Sequence, residues 1–550
     1  MSEERKKVLE MLSDGKITAD DAERLLAALN EGERKATTTE RNSIDLGEIE
    51  NRIRSGVEGV RRTVRASVPH LRTAIRDASP DVERIVEEAT ASIPGFIEEM
   101  TRSLRNTFRH ESHGDDDRFP AKVERDFVEQ ISNVEAGSRL KLHNPRGSLE
   151  VVTWDQDGIQ ADVHLTVNSR DEETAHACSE TVQLAQEPGD EGFLLRPVFP
   201  QGREEASYRM DIRLQLPKSL RLDLHTAHGD LIVAEMDSDV VLAGDHGQLR
   251  LARTAGNAAV QHNHGAVQVG RVGGSFALHS HHSSLDLDES VLETSINAHH
   301  GRLTVRRVGG NLALNAHHSP FSADEIHGKA VANSHHGPLQ LRQVMGDLTV
   351  NSNHGPIAIE EVGGNLHLAS NHGPVEVRSV GGELSAQNSH GPLNVGPVGK
   401  SAVVRCGHGA VDLGPVRGDV TVESERGPVT IRGAGGRVTV RSRRGNVRIE
   451  NPAGEVLAEN NRASIEILPS EPVHAAYTLS NSRGDVRVTL PEGSSVAVQG
   501  FVRRGRVETN LPLEVTANGQ QGQVVSGTLG KGGPSLQAEI DSGSLTLRGM

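Results

Sequence analysis

Aromatic side chains are nearly missing from this chain. Phe, Tyr and Trp make up 2% of its 550 residues, and Trp154 is the single tryptophan. Enzymes usually build cores and substrate pockets from such rings, so their scarcity implies a thin core of Val, Leu, Ile and Ala and argues against a pocketed globular enzyme. It also removes the platforms on which nucleic-acid bases stack. The net charge of −16, from 75 acidic against 59 basic residues, disfavours non-specific nucleic-acid binding, and no nucleic-acid partner is expected. Cysteine is scarcer still. Cys178 and Cys406 give no disulfide framework and fit a reducing compartment. No run of about 18 apolar residues occurs, so no helix is expected to span a membrane. The start, Met1-Ser2-Glu3-Glu4-Arg5, is charged with no apolar stretch behind it. That leads to the expectation of no signal peptide and a cytoplasmic protein, either free or membrane-associated.

Glycine, at 58 residues, and histidine, at 27, are abundant, and both are periodic. His228, His246, His264, His282, His300, His318, His336, His354, His372, His390 and His408 each lie 18 residues from the next. Arg426, Arg444 and Arg462 carry the register on. A fixed period this short, over so many copies, predicts a solenoid. Counting from His354 as zero, Ile357, Ile359, Val362, Leu366 and Leu368 are apolar, with polar residues between them. Each coil therefore reads as two short strands with their apolar side inward, separated by a Gly-Gly turn and an X-His-Gly turn. The fold class is mainly β, a parallel β-solenoid with 18-residue coils. About fourteen coils at a 4.8 Å pitch give a stack on the order of 65 Å. Gly363-Gly364 and Gly381-Gly382 are expected to supply positive φ at their corners.

The domain plan follows from where the period holds. Residues 1–31 form a helical hairpin, in which Thr18 caps the second helix and Ala22, Leu25, Leu26 and Leu29 follow at helical spacing. Residues 32–120 combine linkers and amphipathic helices. Within 49–76, Ile49, Ile53, Val57, Val60, Val64 and Val68 form a stripe, with arginines such as Arg54, Arg61 and Arg65 off it. Such a segment can pack on a neighbour or lie on an anionic membrane surface. Residues 121–227 alternate with a period of two and read as an N-terminal β cap. The 18-residue repeat occupies 228–470, and 471–550 read as a C-terminal β cap.

Two stretches carry resemblances. Val8-Leu9-Glu10-Met11-Leu12, Gly15-Lys16-Ile17-Thr18 and Ala22-Glu23-Arg24-Leu25-Leu26 resemble the SHOCT-like N-terminal module of bacterial envelope-stress proteins of the LiaX/YvlB type. That likeness implies a small interaction or oligomerisation module. From about 127 to 550, Gly147-Ser148-Leu149-Glu150-Val151 with Trp154-Asp155, Val507-Glu508-Thr509-Asn510-Leu511 and Ser542-Gly543-Ser544-Leu545-Thr546-Leu547 resemble the adhesin-like β-strand repeat family, domain of unknown function 4097. This second likeness implies a β-solenoid with no enzymatic activity.

Histidine is the one residue type here that could carry chemistry. Besides the zero-position ladder, His281, His299, His317 and His335 form a second ladder one residue earlier, flanked by Asn263 and Asn353. Imidazole binds Zn, Ni and Cu, so these four are the candidate metal ligands, for weak binding in pairs. A flat ladder points its nitrogens in parallel, whereas a tetrahedral site needs convergence. Replacement by Arg426, Arg444 and Arg462 without loss of register favours a turn role, in which the side chain bonds the corner backbone. No resident cofactor and no catalytic residue is expected. The leading functional expectation is a non-enzymatic scaffold for a protein partner, with self-association or peripheral membrane contact through the N-terminal helices. The alternatives are a metal- or pH-responsive ladder, a self-assembling structural protein, and, last, a polysaccharide-acting enzyme. The enzyme would need clustered carboxylates and sugar-holding aromatics that the repeat lacks.

Overall fold

The computed structural model describes residues 119–549, apart from 133, 190–191, 200–205 and 518–521. The expected hairpin at 1–31 and nearly all of the helical segment 32–120 lie outside the described residues. The repeat forms the parallel solenoid that its period predicts. In one coil, strand Ile357–Val362 is followed by strand Leu366–His372. Each pairs in parallel with the strand 18 residues on, Ile357 with Val375 and Leu366 with Leu384. The residues at three, five, twelve and fourteen after the histidine close the core. Ile357, Ile359, Leu366 and Leu368 are all buried, and Leu339, Leu341, Leu348 and Val350 repeat this one coil earlier. No coil could bury this stripe alone, so stability arises between neighbours.

The two corners use glycine for different reasons. At the histidine corner Gly355 has φ 132° and Gly373 has φ 127°, a region that favours glycine. A Cβ on Gly355 would also run into the carbonyl oxygen of Gly337 in the preceding coil. The Gly-Gly corner does not use positive φ, contrary to the sequence expectation. Instead, the Asx side chain of the preceding coil lies across it. Asp347 Oδ1 accepts a hydrogen bond from the Asn365 backbone N–H at 2.9 Å, and Asn365 Oδ1 accepts one from Glu383 N–H at 2.8 Å. A Cβ on Gly364 would sit 2.6 Å from that Asp347 oxygen. The second glycine clears space for a side-chain ladder.

The coil stack extends beyond the strict period. Strands Arg139–Asn144 and Leu149–Trp154 pair in parallel with Arg221–His228 and Leu231–Met236, so the expected N-terminal cap already contains a complete coil. Its connection to the next coil holds the capping elements. Strand Ile159–Ser169 pairs antiparallel with both Ala121–Ile131 and Ala206–Pro217. A helix, Glu172–Thr181, starts at Asp171, whose Oδ1 accepts from Thr174 N–H, and it buries Ala175 and Ser179. At the other end, chain order and spatial order differ. Strand Ser535–Ser542 lies between Tyr477–Arg483 and Ala497–Arg504, parallel to both. Strands Gln523–Thr528 and Glu514–Ala517 then close this end in antiparallel pairing. Among the described residues no helix is long and apolar enough to cross a membrane.

Candidate functional site

Parallel pairing at i↔i+18 sets equivalent side chains one above another. The corner residue that is histidine in eleven coils thereby becomes a continuous column. The column is longer than the period indicated. Asn144 pairs with Thr226, which sets Arg146 beside His228. Asn460 pairs with Asn481, which sets Arg483 after Arg462. Arg483 pairs with Ser542, and Ser542 with Arg504. Insertions in the chain hide these rungs from a period count, although each keeps the local pattern of a basic residue before glycine, Arg146-Gly147, Arg483-Gly484 and Arg504-Gly505. The rungs from His228 through Arg462 are all exposed.

The imidazoles of this column touch one another. His354 and His372 stack at 4.8 Å between ring centroids with planes 1° apart, and His372 and His390 at 4.7 Å and 1°. Ring contact extends from His228 to His408, the widest step being 5.2 Å between His264 and His282, where the planes are tilted by 43°, and His282 and His300 are tilted by 30°. From His300 to His408 the rings lie flat on their neighbours. The turn itself rests on Gly355 and its equivalents, and the histidine backbone takes the left-handed region at His282, His300 and His318. His282 and His318, which precede Ser283 and Ser319, have φ of 56° and 53°.

The four candidate metal ligands stand in the adjacent column. His281, His299, His317 and His335 stack at 4.8, 4.6 and 4.4 Å. The column continues through Asn353, whose Nδ2 lies 2.9 Å from His335 Nδ1, and Asn371, whose Nδ2 donates to Asn353 Oδ1 at 2.9 Å. Its members thus interact along the column. Among the described residues no three or more His, Cys, Asp or Glu side chains converge as a metal set does. Burial, and then the neighbouring imidazoles, push His317 down to about 4 and lower His299. On the outer column His336 is lowered as well, by partial desolvation and then by His318 and His354.

A buried polar patch near the N-terminal end includes histidines of a different kind. His262 is 1% exposed, and its Nδ1 lies 2.8 Å from Ser283 Oγ. Burial holds it at about 4, although the Asp245 carboxylate opposes that shift. His143 stacks on His225 at 4.5 Å and is held at about 3, by burial and then by His225. Asp245 lies 3.5 Å from His225 Nε2 and accepts from Asn263 Nδ2. Cys406 occupies the small interior corner position, 3% exposed, and burial raises its thiol above the ordinary range. It fills space there. A groove of about 780 Å³ opens beside it where Gly407 leaves the second column without a side chain. The charges on its walls are paired across coils, Arg405 with Glu423 at 3.0 Å and Arg443 with Glu425 at 2.8 Å.

Comparison with known proteins adds little to this geometry. No curated protein matches the chain. One solved structure, a candidate cell adhesion protein from Clostridium sporogenes, aligns over 78% of this chain and 100% of its own, at 9% identity and a TM-score of 0.16. Residues 3–34 match the model of the SHOCT-like domain, so the N-terminal segment is similar to that domain.

Proposed function

We propose that the protein is a non-enzymatic scaffold whose coils present repeated side chains to a partner while its N-terminal segment tethers or oligomerises it. The observation that carries this reading is the constancy of register. Residues that could do chemistry are laid out in lines one coil apart, as the imidazole stacking shows, and not gathered around a point. Catalysis needs convergent groups within hydrogen-bond reach of one reacting atom. Recognition of an extended partner needs only a regular surface. The SHOCT-like match at 3–34 supports an interaction or oligomerisation role for the N-terminus. The apolar stripe and arginines of 49–76 suit contact with an anionic membrane surface or with a second copy. An envelope-stress or adhesin-like setting is the biological context this reading favours.

The test compares the full chain with a version lacking residues 1–120. Light scattering and flotation with vesicles of phosphatidylcholine and phosphatidylserine are measured on both. The full chain is expected to self-associate or float, and the truncated chain to do neither. Identical behaviour of the two forms removes the tethering role.

A further inference from the structure

The outer corner column is a line on which no acidic residue falls. From Arg146 through His228–His408 to Arg426, Arg444, Arg462, Arg483 and Arg504, every rung except Ser542 is basic, on a chain of net charge −16. Its flanks leave it open. The next residue is glycine in most coils, and the one after that is proline at Pro338, Pro356, Pro374 and Pro392. The carboxylates in the flanking columns are Asp230, Asp245, Glu425, Asp485 and Asp541, and each is already engaged. Asp230 Oδ1 accepts from Gln248 N–H, Asp245 meets His225 and Asn263, and Glu425 pairs with Arg443. Asp485 pairs with Arg487, and Asp541 with Arg503 and Arg504. The flanking bases are Arg302, Arg443, Arg503, Arg506 and the four histidines of the second column. No ion pair engages Arg426, Arg444 or Arg462 among the described residues.

We propose that this ridge binds a slim linear polyanion, an unbranched phosphate chain, lengthwise, through its arginines at neutral pH and increasingly through its histidines as pH falls. This deepens the scaffold reading by naming a partner class, and its failure leaves the flotation and light-scattering outcomes unaffected. Rungs at ring spacings of 4.5 to 5.2 Å present N–H donors along one line. Protonating adjacent rings is mutually unfavourable, and an anionic chain running along them relieves that repulsion, so proton uptake and binding are linked. The flanking columns hold no Phe, Tyr or Trp on which a base or sugar could stack, which favours a bare phosphate chain over nucleic acid or glycan.

The test measures binding of fluorescent inorganic polyphosphate to the full chain by anisotropy at pH 7.5 and 5.5. Affinity should rise about tenfold or more at pH 5.5 and fall steeply with added salt, as counterion release requires. The combined variant His354→Asn, His372→Asn, His390→Asn and His408→Asn should lose most of that rise. Asn tolerates such corners and already bonds from coil to coil in the next column at Asn353 and Asn371. The combined variant Arg426→Gln, Arg444→Gln and Arg462→Gln should bind several-fold more weakly at both pH values. Unchanged circular dichroism and melting at pH 7.5 establish that each variant folds. The proposal is overturned by a pH-independent wild-type affinity, by variants that bind as the wild type does, or by equal affinity for single-stranded DNA or a sulfated glycan of matched charge.

Discussion

His262 occupies a corner position that is Ser280, Ala298 or Ala316 in the following coils, and its ring needs room that those side chains do not. Gly244 in the preceding coil provides it. A Cβ added at Gly244 would lie 2.9 Å from His262 Cδ2. The ring is buried and tied to Ser283, so it cannot swing away. Gly244→Ala should therefore destabilise the protein by about 1–3 kcal/mol, the usual range for overpacking. The cost should largely vanish when His262→Ser is present. Urea unfolding of the two single variants and the double variant gives the coupling energy, and simple additivity would show that the two residues do not compete for space. Neither residue's role could be seen in the sequence. His262 lies two positions before a zero-position histidine and looks like one more member of a histidine-rich repeat. Only the stacked coil reveals that its ring points inward and that glycine faces it.

Among the elements, the paired strands were the most legible part of the chain. Period two along each strand and period 18 between coils both follow from apolar residues, and the structure buries Ile357, Ile359, Leu366 and Leu368 as that pattern requires. Three things were hidden. The first coil, built from Arg139–Asn144 and Leu149–Trp154, is separated from the second by inserted capping strands, so no period reports it. Helix Glu172–Thr181 has hardly any apolar stripe, and only the Asp171 cap and the acidic first turn mark it. The C-terminal strand Ser535–Ser542 inserts between earlier ones, a pairing decided by three-dimensional fit. Because each coil contacts mainly its neighbours, removal of one whole unit should be tolerated. Deleting 348–365 joins Asp347 to Leu366 and restores every inter-coil register. This variant should remain soluble and melt cooperatively within a few degrees of the parent. Deleting only 348–355, eight residues, slips the strands by one and sets Asn365 and His367 where Ile357 and Ile359 stood, so it should aggregate or lose its β signal. Equal circular dichroism melts for the two deletions would refute the idea that the 18-residue unit is the element of stability.

In the stack as a whole, the histidines add up to a dependence on pH. The groups that shift do so in one direction. His262 and His279 are held at about 4, His143 at about 3, His317 at about 4, and His299, His336 and His367 are lowered, in each case with burial as the leading cause. The unfolded chain, with ordinary histidines near 6.5, therefore takes up protons before the folded chain does. Their contribution to stability is full above about 6.5 and is lost as pH falls through the interval down to about 4. For the fully buried His262 alone, the difference between 6.5 and about 4 corresponds to about 3 kcal/mol once pH lies below both values. The exposed His336 contributes less, because solvent screens it. Carboxylates lowered by partners, such as Asp211 beside Arg209, are still ionised at pH 5.5 and begin to contribute only in stronger acid. The interval between pH 7 and 5 therefore isolates the histidines. The melting temperature of residues 119–550 should be flat above pH 7 and drop by several degrees at pH 5. Replacing His262 and Gly244 together by Ser and Ala should shrink that drop by removing the most deeply buried titrating ring. A melting temperature unchanged between pH 7.5 and 5 would mean that the stacked imidazoles accept protons as readily as free ones do, and that burial and crowding along the columns carry no free energy.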